Sequence, residues 1–511
     1  MSITKSNILK YCSIIGAHFI RAPFLWIYGN LSAYTDSYFR FSCYPKCSDC
    51  DPQWLLPLYV AGMFPGFFMV KPLVKAFGLK WTGMIAMALT NVALLGSAWS
   101  IQVSIAWTAV MYLLLLGPGA GITVSVTFQV VSGWAPERAA LLVASTSGMS
   151  TMLAVLQNQI ITAFVNPKNL QPDAKIGPRT YFSQPEILDR VPEVLIIYGA
   201  MTLGLQLAGY LLITNPPSHS PDSSDKVKKN FKCSATDPMT KEDDCIPLDD
   251  INSFDDQKKN EAVKNYGTNS GNWKCKQSLD LSQTEKSDSS HYNHCEKFDS
   301  EVGGEEEMTK LRADKDWSYT PKEVLRSPVF YAVCFFGTAM EYSILLTSNF
   351  YKKFGLLYIH NDKYLTFVGT LVPIISTCSR VVFGIFMDKD LLSFKDATII
   401  GLSLNSVLCA FWYLSARVSD ILYMFIILGL AIAQSVLFVV IPTAALRLFG
   451  PTHLSTNYGL VASFTIISSI LSPVVNSPLL HAVGWQWVFT TGSIFSLLVL
   501  CLMTVTSLKT H

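Results

Sequence analysis

"YLTFVGTLVPIISTCSRVVFGIFM" occupies residues 364–387 and holds a single charge, Arg380. At about 1.5 Å per residue this run makes a helix of about 36 Å, enough to cross a hydrocarbon layer of about 30 Å. In hydrocarbon every backbone amide must find its partner within the protein, so the run folds as a helix. A charge inside such a helix is costly. It is retained where it faces a bundle interior or a water-filled path.

Reading outward, the same pattern recurs. Twelve apolar segments lie near 10–33, 55–76, 81–100, 104–133, 139–165, 193–214, 328–350, 364–387, 397–415, 419–448, 457–482 and 486–507. Half of the 511 residues are hydrophobic and 15% are charged, against about 25% charged in typical globular chains. The chain is therefore expected to be an all-α membrane protein of twelve transmembrane helices in two six-helix halves, not a string of soluble domains. Residues 1–7 are polar and no small-residue cleavage site ends the first run, so the first span is expected to stay. The basic residues form no patch or stripe, which excludes a nucleic-acid partner. With no catalytic constellation or metal motif, neither an enzyme nor a cofactor is expected.

The expected organisation is 1–214 as the first half, 215–327 as a polar linker and 328–511 as the second half. The linker holds 17 of the 39 Lys and Arg and 23 of the 37 Asp and Glu. Such a segment buries too little apolar surface to offset its conformational entropy, so mostly disorder is expected, with a short helix around 321–326. An even number of spans puts both termini and the linker on one side. Basic residues in the short loops divide ten against ten, and those at the linker ends make it seventeen to ten. That favours a cytoplasmic linker and termini. The expected location is the plasma membrane, with an organelle membrane as the alternative.

Cys43, Cys47 and Cys50 form CYPKCSDC between the first two spans. Two of them could pair in an oxidising compartment, or all three could stay reduced. A metal site would want a fourth ligand that is not in view. Cys233, Cys245, Cys275 and Cys295 are scattered through the linker without paired spacing.

Three charges read as lying well inside spans: Arg21, Glu341 and Arg380. Arg380 suits an anionic substrate, because a guanidinium grips a carboxylate with two parallel hydrogen bonds and stays charged at physiological pH. The structural alternative is an ion pair with Glu341 on the preceding span. A buried Glu341 is in turn a candidate proton acceptor. Arg21 in "GAHFIRAPFLWIYGN", with His18 three residues before it on the same helical face, is either a second anion contact or a side chain reaching for the membrane surface. Gly117, Gly119 and Gly121 around Pro118 allow close helix approach and bending. They lie within a span, so they are not a nucleotide loop.

Two blocks of six spans joined by a long polar linker resemble the major facilitator superfamily. That resemblance implies a substrate site near the membrane midplane between the halves. A hallmark of the family, Gly-x-x-x-Asp-Arg/Lys-x-Gly-x-Arg/Lys, is degraded in "KPLVKAFGLK", where Gly78 and Lys80 remain but Lys75 stands in the Asp position. It is better kept in "GIFMDK", as Gly384, Asp388 and Lys389. The resemblance implies that these residues latch the cytoplasmic helix ends. Asp388 lies eight residues, or about 12 Å, along the helix from Arg380.

Within the superfamily, the three glycines and "GWAPERAALLVASTSGMS" resemble monocarboxylate transporters and oxalate–formate antiporters. There an arginine in the position of Arg380, within "SRVVFGIFMD", engages the substrate carboxylate. This chain departs in two places. "NYGLVASFTIISSILSPVVNSPLL" lacks the eleventh-span lysine of the antiporters. Uncharged residues stand near Gly29–Asn30 and at Ser376, where animal monocarboxylate transporters carry a Lys and an Asp. The leading expectation is a secondary transporter of a small organic anion, a monocarboxylate, with Arg380 as counter-charge and proton coupling left open. The alternatives are a carrier of a neutral or zwitterionic solute gated by an Arg380–Glu341 pair, or a non-transporting scaffold or sensor whose linker binds partners of unknown identity.

Overall fold

The computed structural model describes residues 5–43, 51–135, 139–215, 318–450 and 454–505. The expected disorder of the linker falls outside these residues.

Among the described residues, eleven helical stretches are long and apolar enough to cross a membrane. One of them, Pro52–Val103, has 52 residues, about 78 Å of helix and more than two bilayer crossings. It turns back at Gly78, whose φ of 79° and ψ of 167° only glycine adopts without strain. Counted at that turn, the spans number twelve. The protein is an integral, multi-pass, all-α membrane protein.

The first span is two helices, Lys5–Phe19 and Phe24–Phe41, separated by a non-helical stretch at 20–23. Pro23 accounts for the break, since it has no amide proton and its ring clashes with the preceding turn. The fourth span runs from Ile105 to Trp134 and contains a π-helical turn, Tyr112–Leu116, just before Gly117. The fifth and sixth spans are Ala139–Val165 and Arg190–Leu212, joined through a small antiparallel hairpin, Ala174–Ile176 with Arg179–Tyr181. A short helix, Pro321–Val324, closed by a Thr320–Glu323 capping box, leads into the seventh span, Pro328–Gly355. The eighth and ninth spans are Asp362–Asp388 and Phe394–Val418; the twelfth is Trp485–Val505. The tenth and eleventh are each interrupted once, as Asp420–Ser435 with Leu437–Arg447 and Leu454–Ser463 with Thr465–Ala482.

Small residues set the packing of the second span on the fourth. A Cβ on Gly117 would lie 2.6 Å from the Gly62 backbone, and one on Gly66 would lie 2.5 Å from the Pro118 carbonyl. Gly121 faces Met63 and Gly66 as closely. The fourth-span glycines thus meet a matching Gly62–Gly66 pair four residues apart. Gly119 faces Thr90 and Ala86 of the third span instead.

Burial divides the molecule into an end where the halves merge and an end where they do not. One apolar cluster, including Phe24, Tyr34, Tyr198, Phe350, Phe354 and Phe489, runs through both halves on the side away from the linker. On the linker side each half keeps its own cluster, around Ile122, Val126 and Tyr210 in the first and around Phe330, Phe336 and Val440 in the second.

Two expectations need correction. The first span continues to Phe41 and the seventh to Gly355, well past the apolar runs near 10–33 and 328–350. Consequently Asp36, Lys352, Lys353 and Asp362 are buried helix residues, so the interior holds more charges than Arg21, Glu341 and Arg380. Lys352 and Lys353 also leave the loop tally used for orientation, and their removal tilts the short loops toward the linker side.

Candidate functional site

The break in the first span places Arg21 in the non-helical stretch between two half-helices. Its Nη1 donates to Ser147 Oγ on the fifth span at 2.6 Å. One turn earlier, His18 Nδ1 donates to the Ile14 carbonyl at 2.7 Å and its Nε2 meets Ser145 Oγ at 2.9 Å. Both side chains therefore brace the first span against the fifth. Gln206 of the sixth span donates to the Ile20 carbonyl at 2.8 Å and receives Asn91 Nδ2 at 2.6 Å. These amides satisfy backbone that the broken helix leaves open.

Arg380 approaches from the other half. It is 8% exposed. Its guanidinium lies 4.0 Å from the Phe438 ring centre and 5.3 Å from that of Trp26, a cation held against aromatic faces. Nη2 donates to Ser376 Oγ at 3.2 Å, while Nε has no hydrogen-bond partner among the described residues. The charged side chain within electrostatic reach of it is Arg21, of like sign.

The ion pair between Arg380 and Glu341, given as the structural alternative, is not formed in this structure. No cation of the described residues lies within 4.0 Å of the Glu341 carboxylate, although Glu341 is only 6% exposed. The reason is placement: Glu341 sits in the middle of the seventh span and acts electrostatically on Tyr59 and Tyr458 instead. Tyr458 also lies within electrostatic reach of Arg21 and Arg380, and its ring packs edge-on against Phe67 and Phe128 of the opposite half. Arg21, Arg380, Glu341, Tyr59 and Tyr458 thus form one central cluster with contributions from both halves.

The latch candidates fall at the linker-side ends. Asp388 pairs with Arg447 at 2.7 Å, exposed, and Arg447 also donates to the Met387 carbonyl. Gly384 faces open space, Gly78 makes the turn between spans, and the Lys80 amide meets Asn215. Lys389 caps the end of the eighth span. Cys43 is disulfide-bonded; Cys47 and Cys50 lie outside the described residues.

The side away from the linker holds a layer that the sequence reading missed. The fifth and eighth spans run antiparallel along a polar seam. Its rungs are Thr151–Thr377 at 2.6 Å, Gln159–Thr370 at 2.7 Å, Thr162–Thr366 at 2.8 Å and Asn166–Asp362 at 3.0 Å. The steps of three, four, seven and eight residues keep one helical face of each span on the seam. At its outer end Lys352 Nζ and Asp362 Oδ1 form a fully buried ion pair at 2.8 Å. Lys352 also donates to Asn30 at 2.6 Å and Tyr34 at 2.9 Å, and Tyr34 donates to Asp362 at 2.5 Å. Beside it Lys353 meets Asp36 at 2.6 Å across the halves. Above, Asp51 takes Arg179 at 3.4 Å and the Ser477 hydroxyl at 2.5 Å. Burial pushes the Asp51 carboxyl up, but Arg179, Ser477 and the Gln53 amide together hold it below the usual carboxylate range. The signal was present: the Asn361 cap ahead of Asp362 and two lysines flanked by aromatic residues in "NFYKKFG".

With this geometry in view, the comparisons agree on the fold. The profile of the Major Facilitator Superfamily matches residues 51–431. No curated protein matches the chain. Among solved structures, a D-xylose-proton symporter superposes with a TM-score of 0.59 at 11% identity, covering 96% of each chain. The xylose transporter XylE from E. coli, in a partially occluded inward-open conformation, gives 0.59 at 10% identity over 99% of this chain and 100% of that one. A variant of the nucleoside transporter NupG gives 0.55 at 9% identity over 97% and 99%.

Proposed function

Because the chain belongs to the major facilitator superfamily, we propose that it is a secondary transporter that carries a small organic anion, a monocarboxylate, between its two halves. The observation that carries this reading is the central cluster, where two guanidiniums from different halves act on each other and neither has a carboxylate within ion-pair distance among the described residues. Like charges held together at the interface of a carrier call for an anion between them. Arg380 Nε and the Phe438 and Trp26 faces suit a carboxylate with a short apolar tail. The first-span break adds the start of the half-helix Phe24–Phe41 close by, whose dipole also favours negative charge.

The linker and both termini face the cytoplasm in this reading, and the merged end faces outward. The membrane is the plasma membrane. Asp388, Lys389, Gly384, Gly78 and Lys80 act at the cytoplasmic helix ends, with Arg447 as the partner that Asp388 holds.

A second reading is that the substrate is a neutral hydroxylated solute. The aromatic lining of the cluster favours it, and so do neighbours described as xylose and nucleoside transporters, which share only the fold at this identity.

Uptake of labelled lactate, xylose and uridine into proteoliposomes separates the two. Lactate uptake abolished by Arg380→Ala and partly kept by Arg380→Lys is expected. Lactate uptake indifferent to Arg380→Ala, or uptake of xylose or uridine alone, refutes the anion reading.

A further inference from the structure

Resting on the anion-carrier reading above, we propose that Lys353 is an outer anion-capture site, occupied by the Asp36 carboxylate while the outer end is closed and offered to an incoming carboxylate when it opens. Three observations converge. First, the Lys353–Asp36 pair bridges the halves and is nearly buried, with side chains 7% and 4% exposed. Any motion that parts the halves at that end must break it.

Second, the pair stands alone. The atoms approach at 2.6 Å, but beyond each other neither the Asp36 carboxylate nor Lys353 Nζ has a hydrogen-bond partner among the described residues. A buried pair repays its desolvation only with good geometry and further hydrogen bonds. Lys352, next door, has three further hydrogen bonds, to Asn30, Tyr34 and Thr366; Lys353 has no such bond among the described residues. The weaker pair is therefore the one suited to exchange.

Third, the two partners are not left alike on opening. Asp36 has Arg179, of its own half, within electrostatic reach. The charges that act on Lys353 are Asp36, Arg179 and Asp51, all from the opposite half. When the halves part, Asp36 keeps a cation, whereas Lys353 loses both carboxylates. Asp362 of its own half stays paired with Lys352 of the same half. Consecutive residues on a helix point about 100° apart, so Lys353 does not share that site. An unpaired ammonium at the mouth of the opened carrier attracts the carboxylate that Arg380 later receives.

The test uses the purified full chain, with acetate as probe. Asp36→Asn removes the carboxylate that occupies Lys353, so acetate takes its place whenever the outer end opens. Its Tm is expected to rise by about 1–2 °C in acetate at tenfold the acetate dissociation constant, and the rise is expected to vanish in Asp36→Asn/Lys353→Gln. An equal rise in both variants, or none in either, overturns the capture site. Lys353→Gln alone gives an independent readout in proteoliposomes. The KM for lactate supplied from the outer face is expected to rise about tenfold while the KM from the linker side stays constant. An unchanged outer KM overturns the proposal. Absence of lactate transport in the unsubstituted protein removes the anion-carrier reading instead, and the acetate measurement then decides on Lys353 by itself.

Discussion

Replacing Lys352 by methionine keeps the length and apolar stem of the side chain and removes only its charge. Lys352 is 0% exposed and its Nζ reaches four groups: Asp362 at 2.8 Å, Asn30 at 2.6 Å, Tyr34 at 2.9 Å and Thr366 at 3.2 Å. The substitution leaves Asp362 as a buried carboxylate held only by the Tyr34 hydroxyl and the Asn166 amide. Breaking a buried pair by removing one partner costs about 3–5 kcal/mol, a change in the unfolding equilibrium of about a hundred- to several thousand-fold. Denaturant unfolding in detergent, followed by tryptophan fluorescence, measures it. Adding Asp362→Asn in a double-mutant cycle is expected to recover part of that loss, because the stranded charge disappears. A cost for Lys352→Met below about 1 kcal/mol, or additive losses in the double variant, would refute the claim that this buried pair anchors the polar network reaching Asn30, Tyr34 and Asn166 of the other half.

Other outcomes follow from the same geometry. Gly66→Leu forces the second span off the Pro118 carbonyl and is expected to cost about 1–3 kcal/mol, whereas Gly384→Ala, which faces open space, leaves thermal stability unchanged. Asp388→Ala breaks a pair whose side chains are 41% and 73% exposed, so the unfolding midpoint is expected to move by less than about 1 kcal/mol. The Asp51 carboxyl is held below its usual range, so its contribution is complete above about pH 4 and fades only as pH falls further. Unfolding curves of Asp51→Asn and the parent protein are therefore expected to differ by a constant amount from pH 5 to 8, and a gap that closes within that window contradicts the assignment.

The spans were legible in sequence because hydrophobic length is a local property. The turn at Gly78 and the break before Phe24 were marked by a glycine and a proline. What the sequence hid was the fate of charges at span ends. Lys352 and Lys353 follow an apolar run, and a window that stops at the first charge reads them as loop. Their burial depends on Asp362, ten residues on, and on Asp36, more than three hundred residues away in the other half. The seam of Thr, Gln and Asn between the fifth and eighth spans was hidden for a similar reason. Each side is a modest polar stripe alone and becomes a seal only when the other is laid against it. The pairing of Glu341 with Arg380 failed on the opposite count: both charges were found, but a count of charges on adjoining spans does not fix which faces meet.

Arg21 belongs to one half and Arg380 to the other, so the spacing of the two cations is a variable of the transport cycle. Like charges that face each other across the halves repel in a low-dielectric interior, and parting the halves relaxes that repulsion. An empty carrier must climb this electrostatic hill each time it brings the guanidiniums together; a loaded one has an anion between them that turns the hill into a well. On the anion-carrier proposal, this electrostatic arrangement favours crossing when filled, and exchange of substrate is expected to run faster than the return of the empty carrier.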